Sequence, residues 1–152
     1  MAAGQWTIYN DFLLNEGKKL IDLANDVFKC ALFTAASIAI NKAVVGANYT
    51  AFAADAHEVG SGTGYTTGGA AVTPSWVGGG AVSISTFSAS NPVWTASGAG
   101  FTARAAVIYS STSAGKLAVA YALLDATPAD VVVTAGNSLT VQVNQIFTKV
   151  GT

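Results

Sequence analysis

The sequence predicts a mainly β protein, a β-sandwich or jelly roll built as a single domain over residues 1–152, with a short N-terminal helix. The length of 152 residues is that of one domain. Apolar and polar residues alternate with a period of two in several runs after Val27. Turn sequences such as SAGK, TPAD and AGN separate these runs, as in proteins made of short antiparallel strands.

The helix is predicted over Asn10–Ala24, where apolar residues recur seven apart. Asn10 would cap it and Asp11 would lie in its first turn. Gly17 costs about 1 kcal/mol against alanine within a helix, so the segment needs a surface to pack on. Its apolar face would consist of Leu13, Leu14, Leu20 and Ile21.

The sandwich is expected over residues 27–147. Between the predicted strands, Ile38–Ala54 is ambiguous: its Ala and Val content suits a helix, whereas Gly46, Asn48 and Thr50 favour a loop with short strand pieces. In the predicted strand Ala81–Phe87, Val82 and Ile84 would share one face and serines would lie on the other. The predicted strands are Val27–Phe33, Ala81–Phe87, Phe101–Tyr109, Leu117–Leu124 and Leu139–Phe147.

The chain has few charges for a soluble domain. Asp, Glu, Lys and Arg make up 10% of it, against about 25% in typical domains, and the net charge is −1. Little self-repulsion favours association with other polypeptides. Arg104 is the only arginine and the lysines are scattered, so we predict no nucleic-acid partner.

No membrane partner is expected, because Lys42 interrupts the longest apolar run, Ala31–Ala47. The N-terminal sequence lacks the charged start and apolar core of a signal peptide, which predicts synthesis in a cytoplasm. The single Cys30 cannot form an internal disulfide, and we interpret it as a small buried hydrophobic residue.

The segment Glu58–Ala71, EVGSGTGYTTGGAA, is rich in glycine. It fails the dinucleotide pattern because Thr67 stands where the third glycine would be, and Pro74 prevents a following helix. The only Gly-Lys pair continues with leucine, so there is no P-loop. We predict a structural turn whose glycines adopt positive φ and in which Tyr65 packs over the backbone.

Asp55, His57 and Glu58 are the only clustered titratable residues. One histidine and one cysteine are too few for an ordinary zinc site, and no nucleophile-elbow motif occurs. We therefore predict no enzyme, no cofactor, no catalytic residues and no metal site. A polar loop is the favoured interpretation, and a weak metal contact, a pH-sensitive contact or a triad around His57 stays open.

Five residues are candidates for an interface. Trp6, Tyr9 and Phe12 either cap the core or dock onto a partner, as aromatic residues often do. We expect Arg104 to pair with a carboxylate, either inside the chain or across an interface. Tyr65 completes this set.

Several blocks of the sequence resemble small virion proteins of tailed bacteriophages. Those proteins carry an N-E-V-S-G-T-G-Y-x-x-G-G signature and a later W-x…F-T-A-R-x-A-V-I-Y block, and the likeness runs from about Asn10 onward. His57 replaces the usual Asn, Gly60 is an insertion, and the Ala36–Ala54 loop is longer than in the pattern. The matching residues are Glu58, Val59, Gly62, Thr63, Gly64, Tyr65, Gly68, Gly69, Trp94, Phe101, Thr102, Ala103, Arg104, Ala106, Val107, Ile108 and Tyr109.

The resemblance implies a capsid decoration, or cement, protein of β-sandwich or jelly-roll type. Such a protein would form a dimer or trimer and bind the major capsid protein on the outer surface of the shell. A tail or head-fibre adaptor of the virion is the nearest alternative. A carbohydrate-binding β-sandwich that stacks sugars on Tyr65, Trp76 or Trp94 is a second alternative from another class.

Overall fold

The computed structural model describes residues 4–79 and 84–151. It is mainly β, with 37% strand and 10% helix, and a short helix lies near the N-terminus, as predicted. The helices are α1 (Asn10–Gly17) and α2 (Tyr49–Ala54). The strands are β1 (Thr7–Ile8), β2 (Phe28–Phe33), β3 (Ala70–Val72), β4 (Pro74–Gly78), β5 (Ile84–Ala89), β6 (Val93–Thr95), β7 (Phe101–Ala103), β8 (Ala105–Ser110), β9 (Ala118–Leu123), β10 (Val131–Val133), β11 (Ser138–Thr140) and β12 (Phe147–Val150).

A five-stranded sheet with the order β1-β9-β8-β2-β3 forms the centre of the fold. All of its pairings are antiparallel. Every residue of its middle strand β8 is buried, which shows that both faces of the sheet are covered.

A three-stranded antiparallel sheet with the order β12-β5-β4 packs against this centre. Phe87 lies 5.4 Å from Phe28 of the large sheet, and Phe147 lies 5.2 Å from Phe12 of α1, between ring centroids. Two further ladders, β7 with β10 and β6 with β11, complete a set of antiparallel sheets packed together around one core.

Helix α1 is shorter than the predicted Asn10–Ala24, because the chain leaves the helix after Gly17 and Lys19 adopts a positive φ of 58°. Tyr9, not Asn10, is the N-cap residue. The helix buries Phe12 and exposes Leu13 and Leu14, so the predicted apolar face was wrong.

The ambiguous segment Ile38–Ala54 ends in a helix and not in strand pieces. Asn48 caps α2, because its side-chain oxygen accepts a hydrogen bond from the Ala51 N–H at 2.8 Å. The asparagine that favoured a loop therefore marks the start of the helix.

The predicted strands Val27–Phe33 and Leu117–Leu124 are confirmed as β2 and β9. The run Phe101–Tyr109 instead divides into β7 and β8 at Arg104, whose N–H donates to the Phe33 carbonyl at 2.8 Å. The run Leu139–Phe147 divides into β11 and β12, because the intervening residues cross from one sheet to another.

The predicted strand Ala81–Phe87 corresponds to β5, which the structure describes from Ile84. Val82 lies outside the described residues. Ile84 is exposed and Phe87 is buried, so the strand packs on the core through the face that carries Ser85 and Phe87.

Candidate interaction surface

The glycine-rich segment is a structural turn, as its sequence predicted. Gly64 has a φ of 94° and Gly69 a φ of 72°, in the region that favours glycine. A Cβ atom on Gly69 would lie 1.9 Å from the Cys30 carbonyl oxygen of β2. The close approach of the turn to β2 therefore also requires glycine.

Glu58 is the acceptor that holds this turn in place. Its Oε1 accepts hydrogen bonds from the Tyr65 hydroxyl and from the Gly68 N–H, each at 2.7 Å. Its Oε2 accepts a third from the Tyr49 hydroxyl at 2.7 Å. The Tyr65 hydroxyl in turn accepts from the Leu32 N–H at 3.0 Å, which connects the turn to the central sheet.

A stacked tyrosine pair flanks Glu58. The rings of Tyr49 and Tyr109 are 4.3 Å apart and 10° from parallel, and the Tyr109 hydroxyl donates to the Gly68 carbonyl at 2.7 Å. Burial raises the pKa of the Tyr49, Tyr65 and Tyr109 hydroxyls well above the usual range. The hydroxyls therefore stay protonated and act as donors. Tyr65 is only 2% exposed, so it organises the turn and offers little surface to a partner.

The N-terminal aromatic residues pack inside the chain. Tyr9 and Phe12 are fully buried, which corrects the expectation that their side chains contact a partner. The Tyr9 hydroxyl donates to the Ala39 carbonyl at 2.6 Å. Trp6 is half-buried, and its indole N–H donates to the Gln142 carbonyl at 3.0 Å. The interpretation that these residues cap the core fits their positions.

Arg104 pairs with a carboxylate of its own chain. Its Nε donates to Oδ1 of Asp130 at 2.8 Å, and its Nη1 donates to the Pro128 carbonyl at 2.9 Å. The predicted carboxylate partner is therefore internal, and the arginine fixes the loop before β10.

Asp55, His57 and Glu58 do not converge on one point. His57 Nδ1 lies 3.2 Å from Oδ2 of Asp55, while Glu58 is turned into the tyrosine cluster. A hydrogen bond from the Ile38 N–H lowers the pKa of Asp55. Within residues 4–79 and 84–151, no three His, Cys, Asp or Glu side chains form a group that could hold a metal ion.

The outward face of the three-stranded sheet forms an uncharged, exposed surface. Val77 pairs with Thr86, Thr86 with Thr148, and Ile84 with Val150, so their side chains share one side of the sheet. We call this surface the outer face. It consists of Ser75, Val77, Ile84, Thr86, Ser88, Thr148 and Val150.

The outer face is apolar or hydroxylic throughout. Val77 and Val150 are 65% and 66% exposed, and Ile84 is 50% exposed. The one charge carried by these three strands, Lys149, alternates to the opposite side and pairs with Glu16 of α1. Uncharged exposed surfaces of this kind are typical of sites where proteins associate.

The sequence prediction missed the outer face, because it did not assign β4 and ended the last strand at Phe147. A signal was present in TPSWVG and IFTKV, which are rich in the β-branched and aromatic residues that favour strands. What unites the three strands is their pairing, which brings residues 74–78, 84–89 and 147–150 together.

Comparison with protein-family models finds no match to this chain. Comparisons with curated proteins and with solved structures find none either. Among the described residues, neither helix is long and apolar enough to span a membrane.

Proposed function

We propose that this chain is a structural virion protein, a capsid decoration protein that binds the outer surface of a major capsid shell and stabilises it. The outer face of the β4-β5-β12 sheet carries the proposal, since it is exposed, uncharged and rich in β-branched residues. The GTGY and TARxAVIY blocks resemble virion proteins of tailed bacteriophages. This resemblance is the reason for proposing a virion as the particle and its major capsid protein as the partner.

The exposed apolar side chains of the outer face stabilise a complex when another polypeptide covers them. Each square ångström of apolar surface removed from water contributes about 25 cal/mol. No charged side chain on the outer face would have to be desolvated. Many copies acting in parallel would stabilise the shell even if each contact were modest.

The rest of the chain supplies rigidity. The glycine-rich turn is fixed by Glu58, and the three-stranded sheet is fixed from below by Trp76, Phe87 and Phe147, whose rings lie 5.5–6.3 Å apart. A preformed surface loses little conformational entropy on binding.

The proposal is tested by comparing particles that contain the protein with particles that lack it. We expect loss of the protein to lower the temperature at which shells rupture and release DNA. Cryo-electron microscopy of the complete particles should show density distributed over the shell. Density confined to a single vertex or to the tail would contradict the decoration role and indicate an adaptor.

A further inference from the structure

A cleft lies between the segment that follows α1 and strand β4. Its volume is about 420 Å³, which is within the range of small-ligand sites. Trp76 of β4 forms one wall, Ile21 and Leu23 contribute apolar surface, and Glu16, Lys19 and Asp22 contribute polar groups.

Neighbouring aromatic rings hold the Trp76 wall of the cleft in place. Its ring contacts Phe87 and Phe147 at centroid distances of 6.3 and 5.8 Å, which fixes the indole plane. Trp76 is half-buried, so part of its side chain remains open to solvent. The indole ring has an apolar face and a polar N–H at its edge. It therefore suits a ligand that has both an apolar face and hydroxyl groups.

Two of the polar groups of the cleft are held by neighbouring groups, and the charges around the cleft cancel. Glu16 is paired with Lys149, and Oδ1 of Asp22 accepts from the Ala24 N–H at 2.9 Å. Lys19 and Asp22 carry opposite charges, and Lys149, which does not line the cleft, balances Glu16, so these groups sum to no net charge. A phosphate would meet the carboxylates and a polyamine would meet the lysines, whereas a neutral polyhydroxylated ligand can bond to both.

We propose that this cleft binds a neutral saccharide. One face of a sugar ring is lined by C–H groups and packs on Trp76, while its hydroxyls donate to Glu16 and accept from Lys19. Of the three aromatic residues considered for stacking on a sugar, Trp76 is the one in the cleft. Tyr65 and Trp94 are buried and cannot stack on a ligand. Trp76 and Val77 point to opposite sides of β4, so the cleft and the outer face are separate surfaces.

The test is a screen of the intact protein on an array of neutral and acidic oligosaccharides, followed by calorimetric titration with the best neutral one. We expect retention of at least one neutral saccharide and weaker retention of its sialylated form. Trp76→Ala should weaken binding by about tenfold. Lys19→Asn, which tolerates the positive φ at this position, should weaken it several-fold without altering the core.

Val77→Lys on the outer face is the matched control, and it should bind the saccharide with unchanged affinity. Absence of any neutral-saccharide binding at millimolar concentration would overturn the proposal. Unchanged affinity of folded Trp76→Ala and Lys19→Asn would also overturn it. The shell-binding proposal uses the outer face and not the cleft. If that proposal alone were wrong, the protein would bind the saccharide but would not associate with shells.

Discussion

The Glu58 carboxylate accepts a hydrogen bond from the Tyr65 hydroxyl at 2.7 Å, and this contact joins the start of the glycine-rich turn to its middle. The same oxygen accepts from Gly68 further along the turn. Because Tyr65 also accepts from Leu32 of β2, one chain of hydrogen bonds runs from the turn into the central sheet. The glycine-rich segment, which matches neither phosphate-binding pattern, is held by a carboxylate, which would repel a phosphate.

Replacing Glu58 with glutamine tests this chain of hydrogen bonds. The amide offers one acceptor oxygen, and its NH₂ group would face donors from Tyr49 or from Tyr65 and Gly68. We expect Glu58→Gln to lower the free energy of unfolding by about 2 kcal/mol, measured by urea denaturation. Glu16→Gln, at a surface ion pair, is the control and should change it by less than about 1 kcal/mol. Equal effects of the two variants would contradict the role of Glu58.

Gly69→Ala tests the close approach of the turn to β2. The new Cβ would collide with backbone atoms of Cys30 and Ala31, and φ is positive. We expect a loss of at least about 3 kcal/mol in the free energy of unfolding, or failure to fold. Gly60→Ala is the matched control, because its Cβ would meet no atom within 4 Å and its φ is not positive. A stable Gly69→Ala protein would show that the turn packs differently.

The buried tyrosines predict loss of stability in alkali. Burial raises the pKa of Tyr9 and Tyr65 above the ordinary value of about 10, so above that pH the unfolded chain releases protons that the folded chain retains. Below about pH 10 these tyrosines contribute their full stabilisation. Above that pH, each of them lowers the free energy of unfolding by about 1.4 kcal/mol per pH unit. Urea denaturation from pH 9 to pH 11 measures the slope. Tyr9→Phe should make the decline shallower, and an identical slope would contradict the assignment.

We expect the Cys30 thiol to be unreactive in the folded protein. Its side chain is fully buried in β2, and burial raises the pKa of the thiol. We expect an aromatic disulfide reagent at pH 8 to react with one thiol per chain promptly in denaturant and only at the rate of unfolding without it. Prompt reaction of the native protein would show that β2 is accessible.

The sequence predicted the fold class and many core side chains because alternation is a local property. Val141 and Val143 are buried as their alternation indicated, although they do not lie in a regular strand. The break at Arg104 could not be predicted, because it depends on hydrogen bonds to Phe33 and Leu124, which are distant in sequence.

The candidate surfaces were harder to predict for the same reason. The sequence singled out Tyr9 and Tyr65 as interface candidates, but aromatic residues are equally suited to cores, and only packing decides between the two. The outer face depends on the register of three strands from separate parts of the chain. No local pattern specifies such a register.

The most direct test of shell binding through the outer face is co-sedimentation of the purified protein with shells stripped of it. We expect the native protein and Val132→Lys to sediment with the shells, because Val132 is equally exposed but lies on β10. Val77→Lys and Val150→Lys, which place a charge in the outer face, should remain in the supernatant while keeping native thermal stability. Sedimentation of all four proteins in equal amounts would contradict the account.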